Sequence, residues 1–128
     1  DRILEEIQPQ TRRIIVDYKE KKKKKKIAMG RYLDGRVSAV LGTHTHVPTA
    51  DAQISSEQTA YISDVGMCGP YHSVIGMDPE PILKRFRTGL PQPFTVGKGQ
   101  VVLQGVFLET NEEGQAESFT PVERLYTF

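Results

Sequence analysis

The stretch that decides the reading is Val37-Ser38-Ala39-Val40-Leu41-Gly42-Thr43-His44-Thr45-His46-Val47-Pro48. Val37 to Leu41 carries small or apolar side chains throughout, so it predicts a short buried strand. Gly42 ends that run and a polar loop with two histidines begins. Upstream, Arg12–Tyr18 predicts a second strand whose centre, Ile14-Ile15-Val16, is continuously apolar, the pattern of a strand covered on both faces. Between them Ile27, Ala28, Tyr32 and Leu33 predict a helix that ends near Asp34-Gly35. Strand, helix, strand and a glycine-led loop is the βαβ order of a layered α/β domain. Open sheets of that kind place their ligand residues at the carboxyl ends of the strands.

Farther along, Thr59–Val65 predicts a third strand running into the glycine-rich Gly66-Met67-Cys68-Gly69-Pro70. Asp78 caps a short helix through about Phe86, with Pro79 at its first position and Gly89 beyond its end. Phe94–Val96, Gln100–Thr110 and Glu117–Tyr126 read as strands, the last two joined through Asn111-Glu112-Glu113-Gly114. At the start, Ile3, Leu4 and Ile7 form the stripe of a helix end that Pro9 closes. The front is therefore α/β and the back mostly β. Two or three parallel strands make a poor independent sheet, so the sequence predicts that partner strands come from a longer chain, of which this is a piece, or from another chain.

At 128 residues and 38% hydrophobic, the chain has the size and apolar content of one domain. Its one cysteine, Cys68, excludes an internal disulfide framework. No apolar run approaches the roughly 20 residues that cross a bilayer, and no basic-then-apolar leader is present, so the expected setting is cytoplasmic and away from membranes. The net charge of +1 hides an asymmetry. Lys19–Lys26 holds seven lysines and Glu20, a local +6, which leaves −5 on the remainder. A nucleic-acid-binding face usually spreads its positive charge over several elements.

His44 and His46 are two of three histidines and stand one residue apart. In an extended segment such residues point to one side, and neutral imidazoles suit zinc, manganese or iron. A catalytic zinc takes about three protein ligands plus water. The further candidates are Asp17, Asp51, Asp64 and His72, although strand-end aspartates cap turns as often as they bind metal and His72 reads as a plain loop residue. Cys68 has no adjacent base and reads as a small filler.

Ile14–Asp17, Ile27–Met29, Tyr32–Val40, Gly42–Asp51, Thr59–Ile62, Asp64–Met67, Gly69–Tyr71, Ser73–Met77, Lys84–Phe86 and Thr88–Pro91 together resemble the YmdB-like metallophosphoesterases, relatives of the calcineurin-like phosphoesterases. The resemblance spans roughly residues 10 to 110. It implies that residues 1–128 are the C-terminal half of a four-layer α/β/β/α metallophosphoesterase sandwich, with the N-terminal half missing. It also implies a two-metal phosphodiesterase acting on cyclic nucleotides such as 2′,3′-cyclic AMP. In it His44 would bind one divalent ion (iron, manganese or similar) and His46 the other, with Asp51 and Asp64 in support. The catalytic residues would lie outside the chain, which alone would be inactive. Self-association is left open.

One departure stands out. After Ile-Ile-Val-Asp the family has an aromatic residue, a metal-binding histidine, then Ala-Glu-Ala-Thr-Ser-Glu-Lys; here Tyr18, Lys19, Glu20 and Lys21–Lys26 follow. Lys19 thus takes the ligand position, and an ammonium has no lone pair to give. Losing its proton beside two cations would mean a large fall from a normal pKa of about 10.4. Six lysines also suit the positive end of a helix poorly. The run reads as an intrusion foreign to the native sequence, as the mark of a degenerate copy, or as a basic loop gripping polyphosphate or RNA. The last makes the chain a non-enzymatic polyanion-binding module, the alternative to the phosphodiesterase.

Overall fold

The computed structural model describes all 128 residues. Its elements are α1 (Arg2–Ile7), β1 (Ile15–Lys19), α2 (Lys23–Tyr32), β2 (Ala39–Thr43), β3 (Gln53–Ile54), β4 (Ala60–Ile62), β5 (Cys68–Pro70), α3 (Pro79–Thr88), β6 (Val101–Thr110) and β7 (Ala116–Tyr126). The α2 crossover makes β1 and β2 parallel, with Val16 opposite Val40, and β4 is parallel to β2 on the other side. The short β3 runs antiparallel to β4 and completes the order β1-β2-β4-β3. A second, antiparallel sheet has the order β5-β6-β7.

Alternation along β2 divides the apolar residues between two interfaces. Val40 faces the helices and packs with Tyr61, Leu4, Ile14, Leu33 and Val37, flanked by Ile7, Val16 and Met29. Ala39 and Ala60 face the second sheet and meet Ala116, with Leu41, Ile54, Leu108 and Phe119 around them. Three alanines at the centre let the two sheets approach closely. On the helical side Gly30 serves the same end, since a Cβ there would stand 2.6 Å from the Tyr61 ring.

These contacts correct the expected fold. The sequence pointed to only a C-terminal half of a four-layer α/β/β/α sandwich, short of strands. The layered fold instead runs through elements from Arg2 to Tyr126, and the two sheets close on their own alanines. The sequence-based strand count is low because β3 is two residues long and leaves no periodic trace. Nor is Ile14-Ile15-Val16 covered on both faces. β1 is an edge strand, and Ile15 on its inner face remains 59% exposed.

Other boundaries differ for local reasons. The third strand stops at Ile62 because Ser63 and Asp64 bond to Asp51 and Thr49 instead of extending the ladder. Phe94–Val96 forms no strand, only a bridge from Val96 to Met77, whereas Cys68–Pro70 in the expected glycine-rich loop does pair, with β6. The α3 caps are as the sequence indicates: Asp78 accepts from the Glu80 amide at 3.0 Å and Gly89 follows at φ 70. No residue of α3 is buried. No helix is long and apolar enough to cross a membrane.

Candidate metal centre

Because β1, β2 and β4 are parallel, their carboxyl ends share one edge, and the His44–His46 loop leaves from the middle of it. Gly42 is required at the exit. A Cβ there would lie 1.8 Å from the Ser63 carbonyl oxygen, so only glycine lets β2 and the end of β4 stay together. The loop backbone then takes positive φ at both histidines, 154° at His44 and 64° at His46. The left-handed value at His46 costs a non-glycine residue roughly 1–3 kcal/mol and persists only where surroundings impose it.

Those surroundings are polar and dense. Asp64 is 1% exposed. Its Oδ2 accepts from the Thr45 amide at 2.7 Å and from Lys26 Nζ at 3.3 Å, while Oδ1 accepts from the Gly66 amide at 3.1 Å. Burial on its own would raise the Asp64 carboxyl, but the donors from Thr45, Gly66 and Lys26 outweigh it and hold the group below its ordinary range. Asp51 behaves alike. Burial pushes it up, and the hydrogen bonds from Ser63 and Thr49 bring it below the usual carboxylate value. Thr49 Oγ1 donates to Asp51 at 2.5 Å and accepts from the Asp64 amide at 2.9 Å, joining the two carboxylates in one network. No buried side-chain polar atom lacks a partner.

His46 is exposed, and its Nδ1 lies 3.0 Å from the Ile75 carbonyl oxygen. A carbonyl oxygen only accepts, so Nδ1 carries a hydrogen, and in the neutral imidazole Nε2 then keeps the lone pair. This outer-atom tether is the arrangement that orients metal-binding imidazoles. His44 is half-buried beside it. The two rings have the donor chemistry of metal ligands, yet the chain brings no group of three His, Cys, Asp or Glu together.

The remaining candidates are placed as follows. Asp17 stands on the same edge, exposed, and accepts from Thr43 Oγ1 at 2.9 Å. Lys19 lies opposite Thr43 in the ladder, one residue from His44. His72 is an exposed loop residue with its ring edge-on to Tyr71. Cys68 is exposed in β5. A cavity of about 310 Å³ between α2 and the β3–β4 side is lined by Lys23, Arg31, Asp34 and Asp51 among others, and by neither histidine. Sequence reasoning missed Thr49, Ser63, the Ile75 carbonyl and, above all, Lys26. For Lys26 the available clue was its helical spacing with Met29 and Leu33, which places it on the buried face of α2.

With this geometry in hand, comparison with known proteins assigns the chain. The YmdB-like protein family matches residues 1–122, and the chain belongs to that family. It is 46% identical over 125 residues to the 2′,3′-cyclic-nucleotide 2′-phosphodiesterase of Bacillus subtilis (strain 168), an alignment covering 98% of this chain and 47% of that protein. A crystal structure of a hypothetical protein from Thermus thermophilus superposes with a TM-score of 0.88 at 43% identity, covering 98% of this chain and 48% of that one. The crystal structure of a novel phosphatase from Mycoplasma pneumoniae gives a TM-score of 0.86 at 35% identity, covering 98% and 46%. The chain thus spans about half the length of the relatives it matches. The family itself is as the residues suggested. The restriction to a C-terminal half, with likeness from about residue 10 to 110, is corrected, because sequence and calcineurin-like α/β/β/α fold agree over 98% of the chain.

Proposed function

We propose that the edge carrying His44 and His46 is part of the centre of a metal-dependent phosphodiesterase that acts on 2′,3′-cyclic nucleotides. The observation that carries this reading is the His46 tether: Nδ1 held by the Ile75 carbonyl leaves Nε2 as the free donor on an open edge. The 46% identity to a 2′,3′-cyclic-nucleotide 2′-phosphodiesterase supports the reaction class. His44 and His46 would each hold one divalent ion, iron, manganese or similar. Such ions, when bound, polarise phosphoryl oxygens and lower the pKa of a bound water. The residues of this chain do the orienting. Asp64 fixes the backbone between the two rings, Asp51 and Thr49 brace Asp64, and Ile75 sets which imidazole nitrogen is free.

Two imidazoles are fewer than a catalytic metal needs, so the 128-residue chain alone should turn over slowly or not at all. The deciding measurement is therefore binding. Equilibrium dialysis against Mn²⁺ should show uptake that His44→Ala and His46→Ala each reduce at least tenfold, with bis(p-nitrophenyl) phosphate and 2′,3′-cyclic AMP hydrolysis followed in parallel. Uptake indifferent to both substitutions would sink the reading.

A second reading rests on one observation, that Lys21 to Lys25 are all exposed at the start of α2. As a non-enzymatic binder of RNA or polyphosphate through the exposed Lys19 and Lys21–Lys25 of the Lys19–Lys26 run, the chain would lose affinity steeply with salt and keep it in the histidine variants. Salt-insensitive or absent RNA binding removes that reading.

A further inference from the structure

Lys26 is the one lysine of the Lys21–Lys26 run that the fold buries. It is 4% exposed, whereas the five before it are exposed. The reason is helical phase. Lys26, Met29 and Leu33 fall on the face of α2 turned toward the first sheet, so the aliphatic stem of Lys26 continues an apolar stripe. Its ammonium emerges at the carboxyl edge, where Nζ donates to the Ser63 carbonyl at 2.9 Å and to Asp64 Oδ2 at 3.3 Å.

The same Oδ2 accepts the Thr45 amide at 2.7 Å. That N–H belongs to the peptide plane joining His44 to Thr45, whose orientation sets where the side chains on either side leave the backbone. Two residues on from His44, His46 takes a positive φ, which few non-glycine residues adopt. Lys26 is the one cation beside Asp64, a carboxylate 1% exposed whose side chain otherwise accepts from the Thr45 and Gly66 amides. Lys26 therefore stands one residue removed from the backbone of the histidine pair.

We propose that Lys26 is a positioning residue for His44 and His46: through Asp64 it holds the His44–Thr45 peptide in the orientation that presents both imidazoles. The consequence for metal rests on the metal-centre reading above; the effect on geometry does not. A side chain that merely capped the end of β4 would stabilise the fold and leave the histidine loop's own signals alone.

The test uses the full 128-residue chain, ¹⁵N-labelled and free of metal, as wild type, Lys26→Met, Lys26→Arg and, as a control for charge in the run, Lys24→Met. In Lys26→Met the Thr45 amide and the His46 ring nitrogens should shift away from the hydrogen-bonded, Nδ1–H pattern while the β6 and β7 amides stay in place. Lys26→Arg should restore most of the pattern, and Lys24→Met should leave it unchanged. In a Co²⁺ titration followed by visible absorption, affinity should fall about 10–100-fold in Lys26→Met, the range expected when a group behind a metal ligand is removed. Wild-type Thr45 and His46 signals in Lys26→Met overturn the proposal, whatever the metal does. If the signals move but His44→Ala and His46→Ala bind Co²⁺ like wild type, the positioning holds and the metal-centre reading falls. Should Lys26→Met not fold, Lys26→Gln replaces it under the same criteria. Collapse of both variants marks Lys26 as a fold residue and ends the claim.

Discussion

The carboxyl edge of the first sheet and the segment from Val74 to Val96 treat their side chains in opposite ways. At the edge, a cluster of charged and hydroxyl groups is buried and bonded beside the exposed Asp17: Lys26, Ser63 and Asp64 are all at most 4% exposed. Along the other segment, apolar groups stand in the open, with Phe86 at 89% exposure and Leu83, Leu90, Phe94 and Val96 each above half. The first arrangement is costly to disturb because every group has a committed partner. The second has little to lose within the chain. The contrast teaches that the buried, fully bonded polar groups of this molecule gather beneath the histidine loop.

Substitutions can break or sharpen that contrast. Asp64→Ala should have the largest effect. It leaves the Lys26 ammonium buried and unpaired, and urea unfolding should show a loss of about 3–5 kcal/mol. A loss below about 1 kcal/mol would mean the edge is no more committed than the α3 side. Gly42→Ala comes next. Its Cβ must displace the Ser63 carbonyl, so about 1–3 kcal/mol should be lost, and the Lys26–Ser63 contact with it.

A third effect is set by pH. The Asp51 carboxyl is held lower in the folded chain than in the unfolded one, so between those two values the unfolded state binds more protons. Its stabilisation is then complete above pH of about 4 and is lost as pH falls through the depressed folded value. Asp51→Asn should lower the thermal midpoint at pH 7 by the equivalent of about 1 kcal/mol and flatten the decline below pH of about 4. An unchanged acid profile would remove Asp51 from the network. The smallest effect belongs to Phe86→Ser, expected within about 0.5 kcal/mol of wild type by urea unfolding. A larger loss would show that α3 is packed more firmly than its exposure indicates.

Legibility in the sequence followed how local each determinant was. The ends of α3 were readable because Asp78, Pro79 and Gly89 act on backbone atoms within a few residues. The β2 strand and the histidine loop were readable because an apolar run stops at a glycine. The edge position of β1 was not, since the exposure of Ile15 depends on where the second sheet ends. β3 and β5 were too short to show a period. At the site, the histidines were visible as residue types, and Asp51 and Asp64 as aspartates just after the histidine loop and at the end of the third expected strand. Lys26 was hidden among five identical neighbours, and only the phase of α2, which starts at Lys23 within the run, separates it from them.

Ile75 has two engagements. Its carbonyl holds the His46 ring, and its side chain helps to line a groove of about 660 Å³ with Met77, Phe86 and Phe94. The heading of that imidazole is therefore decided partly by a different loop, and a displacement of the Val74–Met77 turn would swivel the ring even with Lys26 and Asp64 untouched.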